Sequence, residues 1–349
     1  MAPKMMSPDR AFRDQTATDQ TSSEHSAVDS GRMPAEAVPS AESRVASFTE
    51  TDDIDLDRRF GGINRLYGEQ APSALAHAHV AVVGIGGVGS WAVEALARSG
   101  VGALTLIDMD HVSESNINRQ LHALTGTLGQ SKIAAMADRI AGINPQCRVT
   151  LCDDFVTVEN VAERLCDRYD AILDCADQAP AKIAMILHAK QQGIPMVVCG
   201  GAGGKTDPLT LRAGDLSESL NDALLAKLRN ILRRQHGFAR GSDAAGKPRK
   251  RVPKMGVTAL WFDQPAILPE QWAGGGLACA GYGSIVTVTA AMGMAAAHRA
   301  LTLIVSPRRG SQASTREGST REGSTRQATI SQASTREGAL DQGHVEPTA

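Results

Sequence analysis

VAVVGIGGVGS, residues 80–90, joins a short apolar run to a glycine turn and the start of a helix. Gly84, Gly86 and Gly89 form G-x-G-x-x-G, with Gly87 inside the same turn. Glycine at these positions allows a sharp bend, lets backbone N–H groups approach a phosphate, and lets the helix press on the strand. The helix N-terminus adds partial positive charge. Asp108 closes a second apolar run, ALTLID, 24 residues after Gly84, where a carboxylate can accept both hydroxyls of a ribose. These residues predict an adenine nucleotide and leave NAD and ATP both open.

Outward from this turn, apolar runs alternate with helical patterns. His79–Val83, Ala103–Ile107, Arg148–Cys152, Ala171–Asp174 and Met196–Cys199 read as strands, and Ser90–Arg98, Lys132–Ile143, Val158–Asp167 and Pro180–Gln192 as helices. That order predicts an α/β, Rossmann-like, doubly wound and mainly parallel sheet. Leu277–Ala297 carries no charge over 21 positions, long enough for a membrane span. Gly281, Gly283, Ser284, Thr287, Thr289 and Gly293 dilute it, so a buried helix packed on the sheet is expected instead.

The ends of the 349-residue chain differ from its middle. Residues 1–57 hold 5 Lys and Arg against 12 Asp and Glu, are rich in Ser, Thr, Ala and Pro, and have no sustained apolar period. Such a stretch buries too little to offset its backbone entropy, so residues 1–54 are expected to form a disordered acidic arm. SQASTREG occurs at 311–318 and again at 331–338, and STREG fills 319–323, which marks 306–349 as a disordered low-complexity tail. The domain expected between them spans 55–305. Six scattered cysteines, with no C-x-x-C pair and no signal-peptide pattern before them, argue for a reducing cytosol and against a disulfide framework or a thiolate zinc site.

The segment after Asp108 separates the two nucleotides. MDHVSESNINRQ places Asn116, Asn118, Arg119 and Gln120 on one loop, and Lys132 follows 13 residues beyond Arg119. A nicotinamide site needs few fixed cations near its phosphates. An enzyme that expels pyrophosphate must neutralise charge building on three of them, which Arg119 and Lys132 can do.

GIGGVG, IDMD, SNINRQ and GQSK, in that order, resemble the adenylation domain of the ubiquitin-activating-enzyme-like superfamily over residues 58 to about 205. The resemblance implies that Asp108 holds the ribose, that Asn116, Arg119 and Lys132 hold the triphosphate of ATP, and that Asp177 of LDCADQ binds Mg2+. Gln178 stands where the family usually has Asn. In RRFGGINRLYGE, residues 58–69, the resemblance implies an arginine finger crossing a homodimer, Arg65 first and Arg59 behind it.

Members that charge carrier proteins commonly have paired C-x-x-C motifs, which this chain lacks; Cys199 is its one candidate acyl acceptor. RRFGGINRLYG, NINRQLHAL, INPQCRVT, DDFVT, GGAGGKTDP, DLSESLNDALLAKLR and CAGYGSIVTVTAAMG together are similar to the tRNA threonylcarbamoyladenosine dehydratase family, over about residues 58–305. That similarity implies ATP-driven adenylation of the side-chain carboxylate of threonylcarbamoyladenosine at tRNA position 37, followed by cyclisation with loss of AMP. It also implies a cytoplasmic homodimer and a link to cysteine desulfurase or sulfur-acceptor systems, with neither DNA nor a membrane as partner. An RNA partner should leave an electrostatic footprint, and residues 227–254 carry ten basic residues against Asp243 alone. The first half of that insertion predicts an amphipathic helix, and GSDAAGKPRKR a mobile loop. GGAGG at 200–204, followed by Lys205, Thr206 and Asp207, is expected near the substrate because strand C-terminal ends face the cleft in such sheets. The competing expectations are adenylation of the C-terminus of a sulfur-carrier or ubiquitin-like protein, and a nucleotide-binding adaptor without catalysis.

Overall fold

The computed structural model describes residues 54–243, 246–247, 249–250, 252–267 and 282–306. Nearly all of the acidic arm, the repeat tail beyond residue 306 and Leu277–Gly281 lie outside the described residues. Seven strands form one sheet: β1 (His79–Val83), β2 (Ala103–Ile107), β3 (Arg148–Cys152), β4 (Ala171–Asp174), β5 (Met196–Cys199), β6 (Leu211–Asp215) and β7 (Thr258–Phe262). Their order is β3-β2-β1-β4-β5-β7-β6. All neighbours are parallel except β6, which pairs antiparallel with β7 at the edge.

Alternation along the strands feeds two cores. Val80, Val82, Leu104, Leu106, Leu173, Val197, Leu260 and Phe262 enter one hydrophobic cluster. Ala81, Val83, Ile107 and Ile172 face the opposite side, which Val198, Ala259 and Trp261 extend. This period of two is what a sheet covered on both faces requires. The first face carries α3 (Gly89–Arg98), α4 (Lys132–Ile143) and α8 (Val286–Val305), and the second α5 (Val161–Arg164), α6 (Ala179–Gln192) and α7 (Ala223–Gln235). Before β1, α1 (Leu56–Tyr67) and α2 (Ala71–His77) lead into the sheet.

Local chemistry sets the helix ends. Asp222 caps α7, its Oδ1 accepting from Leu225 N at 2.8 Å. Pro180 sits in the first turn of α6, which stops at Gly193 in the left-handed region. Asn144 and Pro145 end α4. Glu94 of α3 fastens α4 through Arg139, Nε to Oε2 at 2.6 Å, and also accepts from Arg98.

The strand assignments from sequence agree with these bounds, whereas one helix, the apolar segment and the far edge of the sheet differ. The helix expected at Val158–Asp167 is reduced to Val161–Arg164, because Asn160 caps the preceding turn, accepting from Thr157 N and donating to Phe155 O. In the apolar segment the described residues 282–285 are not helical. The helix starts at Val286 and continues through His298 and Arg299 to Val305. Its stripe of Val288, Met292, Ala296 and Ala300 is buried as in a core helix, although a mean hydropathy of 1.4 would suit a membrane span. GSDAAGKPRKR, expected as a loop, has two hydrogen bonds in its described part, Arg249 N donating to Gly241 O and Lys247 N to Asp243 Oδ1. Strands β6 and β7 have no counterpart in the sequence reading. LRAGD alternates too weakly to show itself, whereas TALWF after Gly256 was a readable signal.

Candidate active site

Strand order reverses direction between β1 and β4, and in an open α/β sheet the crevice beyond the strand ends at that point takes the ligand. The glycine turn lies there. Gly84 has φ +85°, and a Cβ on it would stand 2.9 Å from Ala176 N and from Cys175 C and O. A Cβ on Gly89 would stand 1.8 Å from Gly84 O. The turn is therefore closed upon itself and pressed against the loop that follows β4. Helix α3 begins without a side-chain N-cap, although Ser90 N donates to Gly86 O, and the positive end of its dipole lies at the turn, where an anion is favoured.

Asp108 points back to this turn. Its Oδ2 accepts from Ile85 N at 2.6 Å and its Oδ1 from Asp110 N at 2.8 Å, which fixes the carboxylate at the end of β2 beside the glycines. Burial pushes its carboxyl above the usual range, against the pull of Lys132 and of these two N–H donors. Lys132, itself buried, pairs with Asp110 Oδ2 at 2.7 Å. Sequence reasoning missed Asp110 as the lysine's partner, because a pair 22 residues apart across a loop obeys no spacing rule.

The loop between β2 and α4 is fastened from several sides. Asn116 Oδ1 accepts from Ser113 N at 3.1 Å as half of a capping box. Asn118 Nδ2 donates to Ser284 O at 2.8 Å. Trp91 Nε1 and Thr289 Oγ1 both donate to Arg119 O, and Leu121 N donates to Ser90 Oγ. The Arg119 side chain is half-buried, its Nη1 donating to Ser115 O and Asn118 Oδ1. A Cβ on Gly87 would stand 3.3 Å from Arg119 Cγ, so the guanidinium stem borders the glycine turn. Gln120 is buried beside Gly86, with its Oε1 lacking a partner among the described residues. His122 is buried too, both ring nitrogens without a partner among the described residues, and burial plus the charge of Lys132 hold it down at about 4. It is a neutral imidazole at physiological pH. Orphaned buried polar groups of this kind mark a place where water or a ligand completes the structure.

Asp177, exposed, follows Ala176, whose backbone N abuts Gly84, so it stands one residue along the chain from the loop backbone that touches the glycine turn. Among the described residues no three His, Cys, Asp or Glu side chains converge into a cation cage. That donor set fits Mg2+, which is commonly held by one or two carboxylates with substrate phosphates and water filling the remaining positions.

Beneath the site, the buried Asp174 and Lys182 pair at 3.0 Å. Lys182 Nζ also donates to Cys199 O at 2.8 Å and Asp174 O at 3.3 Å, tying the ends of β4 and β5 together. Cys199 is buried, its Sγ 3.9 Å from that of Cys175, a poor position for receiving an acyl group. The loop Gly200–Gly204 is anchored to the start of α7 by Gly201 N donating to Asp222 Oδ2 at 2.8 Å. Lys205 is buried against backbone carbonyls, donating to Asn221 O at 2.8 Å.

Arg65 is not brought to the glycine turn of its own chain. Helix α1 packs at the opposite edge of the sheet, with Phe60 against Gly100 and Arg59 Nη1 donating to Ile143 O at 2.8 Å. Arg65 lies exposed on its last turn.

The chain is similar to known proteins. The ThiF family matches residues 61–338. tRNA threonylcarbamoyladenosine dehydratase of Haemophilus influenzae is 41% identical over 259 residues, covering 73% of this chain and 96% of the relative. The Escherichia coli enzyme of that name is 42% identical over 259 residues, 70% of this chain and 92% of the relative. The crystal structure of E. coli tRNA N6-threonylcarbamoyladenosine dehydratase, TcdA, in complex with ATP superposes with a TM-score of 0.63 at 43% identity, covering 71% of this chain and 94% of that one. With a family match over most of the chain and relatives matched along nearly their whole length, the chain belongs to the ThiF family, among its tRNA threonylcarbamoyladenosine dehydratases.

Proposed function

We propose that the chain uses ATP to cyclise threonylcarbamoyladenosine at position 37 of tRNA, through an acyl adenylate. The observation that carries this reading is the glycine turn at the uncapped start of α3, bordered by Arg119 and by Asp108 under the influence of Lys132, in a chain similar to a dehydratase solved with ATP. The N–H groups of that turn receive phosphate oxygens, and Asp108 accepts the ribose hydroxyls through lone pairs that Ile85 and Asp110 leave open. Gly84, Gly86, Gly87 and Gly89 form the wall, and Asn116, Asn118 and Gln120 keep the loop in place. The substrate carboxylate attacks the α-phosphorus, the bond to the β-phosphate breaks, and Arg119 and Lys132 offset the charge that grows on the departing pyrophosphate. Asp177 would hold Mg2+, which supplies charge neutralisation at the phosphates. An internal nucleophile of the substrate then closes the ring and expels AMP, so proximity replaces an acyl-enzyme.

Arg65, remote from its own glycine turn, acts in a homodimer on the nucleotide of the other subunit. The buried stripe of α8 and a tRNA substrate both fit a cytoplasmic enzyme. Mass spectrometry of tRNA nucleosides from cells with and without the protein tests the reading. Loss of an adenosine derivative lighter by one water than threonylcarbamoyladenosine is expected. Pyrophosphate release that requires a Gly-Gly-ended protein rather than tRNA would select carrier-protein adenylation instead.

A further inference from the structure

We propose that the cleft beyond the C-terminal end of α7, lined by Arg233, Arg234, Arg240 and Arg249, binds a backbone phosphate of the tRNA. The proposal rests on the tRNA reading above and extends it to a second contact, far from the reacting base. Helix α7 starts at Asp222, beside the Gly200–Gly204 loop at the carboxyl edge of the sheet, and runs alongside α6 to the opposite edge, where Lys190 of α6 lies 4.2 Å above the Phe238 ring. Its 13 residues place the cleft about 20 Å from that loop.

The cleft encloses about 450 Å³, room for a phosphodiester with part of its sugar. Two of its guanidinium groups are held from behind, Arg233 Nε donating to Ala239 O at 3.0 Å and Arg249 Nε to Ser242 O at 3.1 Å. Clamping at Nε fixes the plane of the head and leaves terminal nitrogens for paired contacts to an anion. Among the described residues none of the four arginines forms an ion pair with a carboxylate. Arg233 Nη2 is buried without a partner among the described residues. One turn earlier, burial and the charge of Arg233 pull Arg229 below its ordinary range, with Asp222 only partly opposing them. Asp243 is the single carboxylate among the described lining residues.

A concave surface with this excess of fixed cations favours an anion, and planar guanidinium heads favour phosphate oxygens. Phe238, the aromatic residue of the lining, is buried under Lys190 and offers no face for a base. The contact is therefore to the backbone, which positions the RNA without reading its sequence.

The test is the double variant Arg234→Glu/Arg240→Glu, both side chains being exposed at the rim and outside the nucleotide site. Affinity for full-length tRNA carrying threonylcarbamoyladenosine is measured by filter binding between about 50 and 200 mM salt. ATP affinity and the urea midpoint are measured on the same samples. The variant should bind tRNA about 10–100-fold more weakly, with a salt slope shallower by about 1–2, and bind ATP unchanged. Arg234→Lys/Arg240→Lys should keep the slope and lose a smaller factor. If the glutamate variant matches the wild type in affinity and slope while the wild type binds tRNA, the cleft proposal fails and the substrate reading stands. If ATP affinity or stability falls in step with tRNA affinity, the charges act through the fold and the proposal is overturned. Wild-type protein that shows no affinity for tRNA removes the substrate reading and this proposal together.

Discussion

Replacing Lys182 by Met removes the cation from a fully buried pair. Its Nζ lies 3.0 Å from Asp174 Oδ1 and also serves two backbone carbonyls, while Asp174 Oδ2 already lacks a partner among the described residues. In the wild type, burial pushes the Asp174 carboxyl up and Lys182 pulls it partly back. Without the lysine the carboxylate is stranded, and its escape is to take a proton. That sets a ceiling on the cost, because each pH unit above the ordinary aspartate value of about 3.9 adds about 1.36 kcal/mol. The ceiling is about 4 kcal/mol at pH 7 and about 1.5 kcal/mol at pH 5, within reach of the 3–5 kcal/mol typical for breaking a buried pair. The native variant binds a proton that its unfolded chain has lost, so its stability falls as pH rises above about 4. Asp174→Asn strands the ammonium instead and should also destabilise the fold. Asp174→Asn/Lys182→Met together should recover most of the loss. Urea unfolding followed by tryptophan fluorescence at pH 5 and pH 7 measures all four proteins. A Lys182→Met deficit that is equal at the two pH values would refute the stranded-carboxylate argument.

Three further outcomes bear on the nucleotide site. Gly89→Ala puts a methyl 1.8 Å from Gly84 O and must open the turn, so calorimetry should show ATP affinity lower by about 10²-fold or more, and unchanged affinity would show that the turn can yield. Arg119→Ala and Lys132→Ala should each slow pyrophosphate release by about 10²–10³, with single-turnover kinetics as the check. Asp177→Ala should abolish pyrophosphate release and leave the urea stability within about 0.5 kcal/mol, because the side chain is exposed; normal product formation by this variant would overturn the proposed Mg2+-binding role of Asp177.

Local patterns carried much of the architecture. Five strands were legible because each is a short apolar run bounded by glycine, proline or a helical pattern, and the glycine turn was legible because backbone geometry dictates residue type there. Asp108 stood out for the same reason, as a charge closing a buried strand. Tertiary structure decided what those signals do not encode. It paired Lys132 with Asp110 and Lys182 with Asp174, hung Arg119 from Trp91 and Thr289, and added β6 and β7 to the sheet. It also carried α1, with Arg65, to the far edge from the glycine turn. Such outcomes depend on which surfaces meet after the chain has crossed the sheet, and no period or spacing along the chain records a contact made between residues distant in sequence.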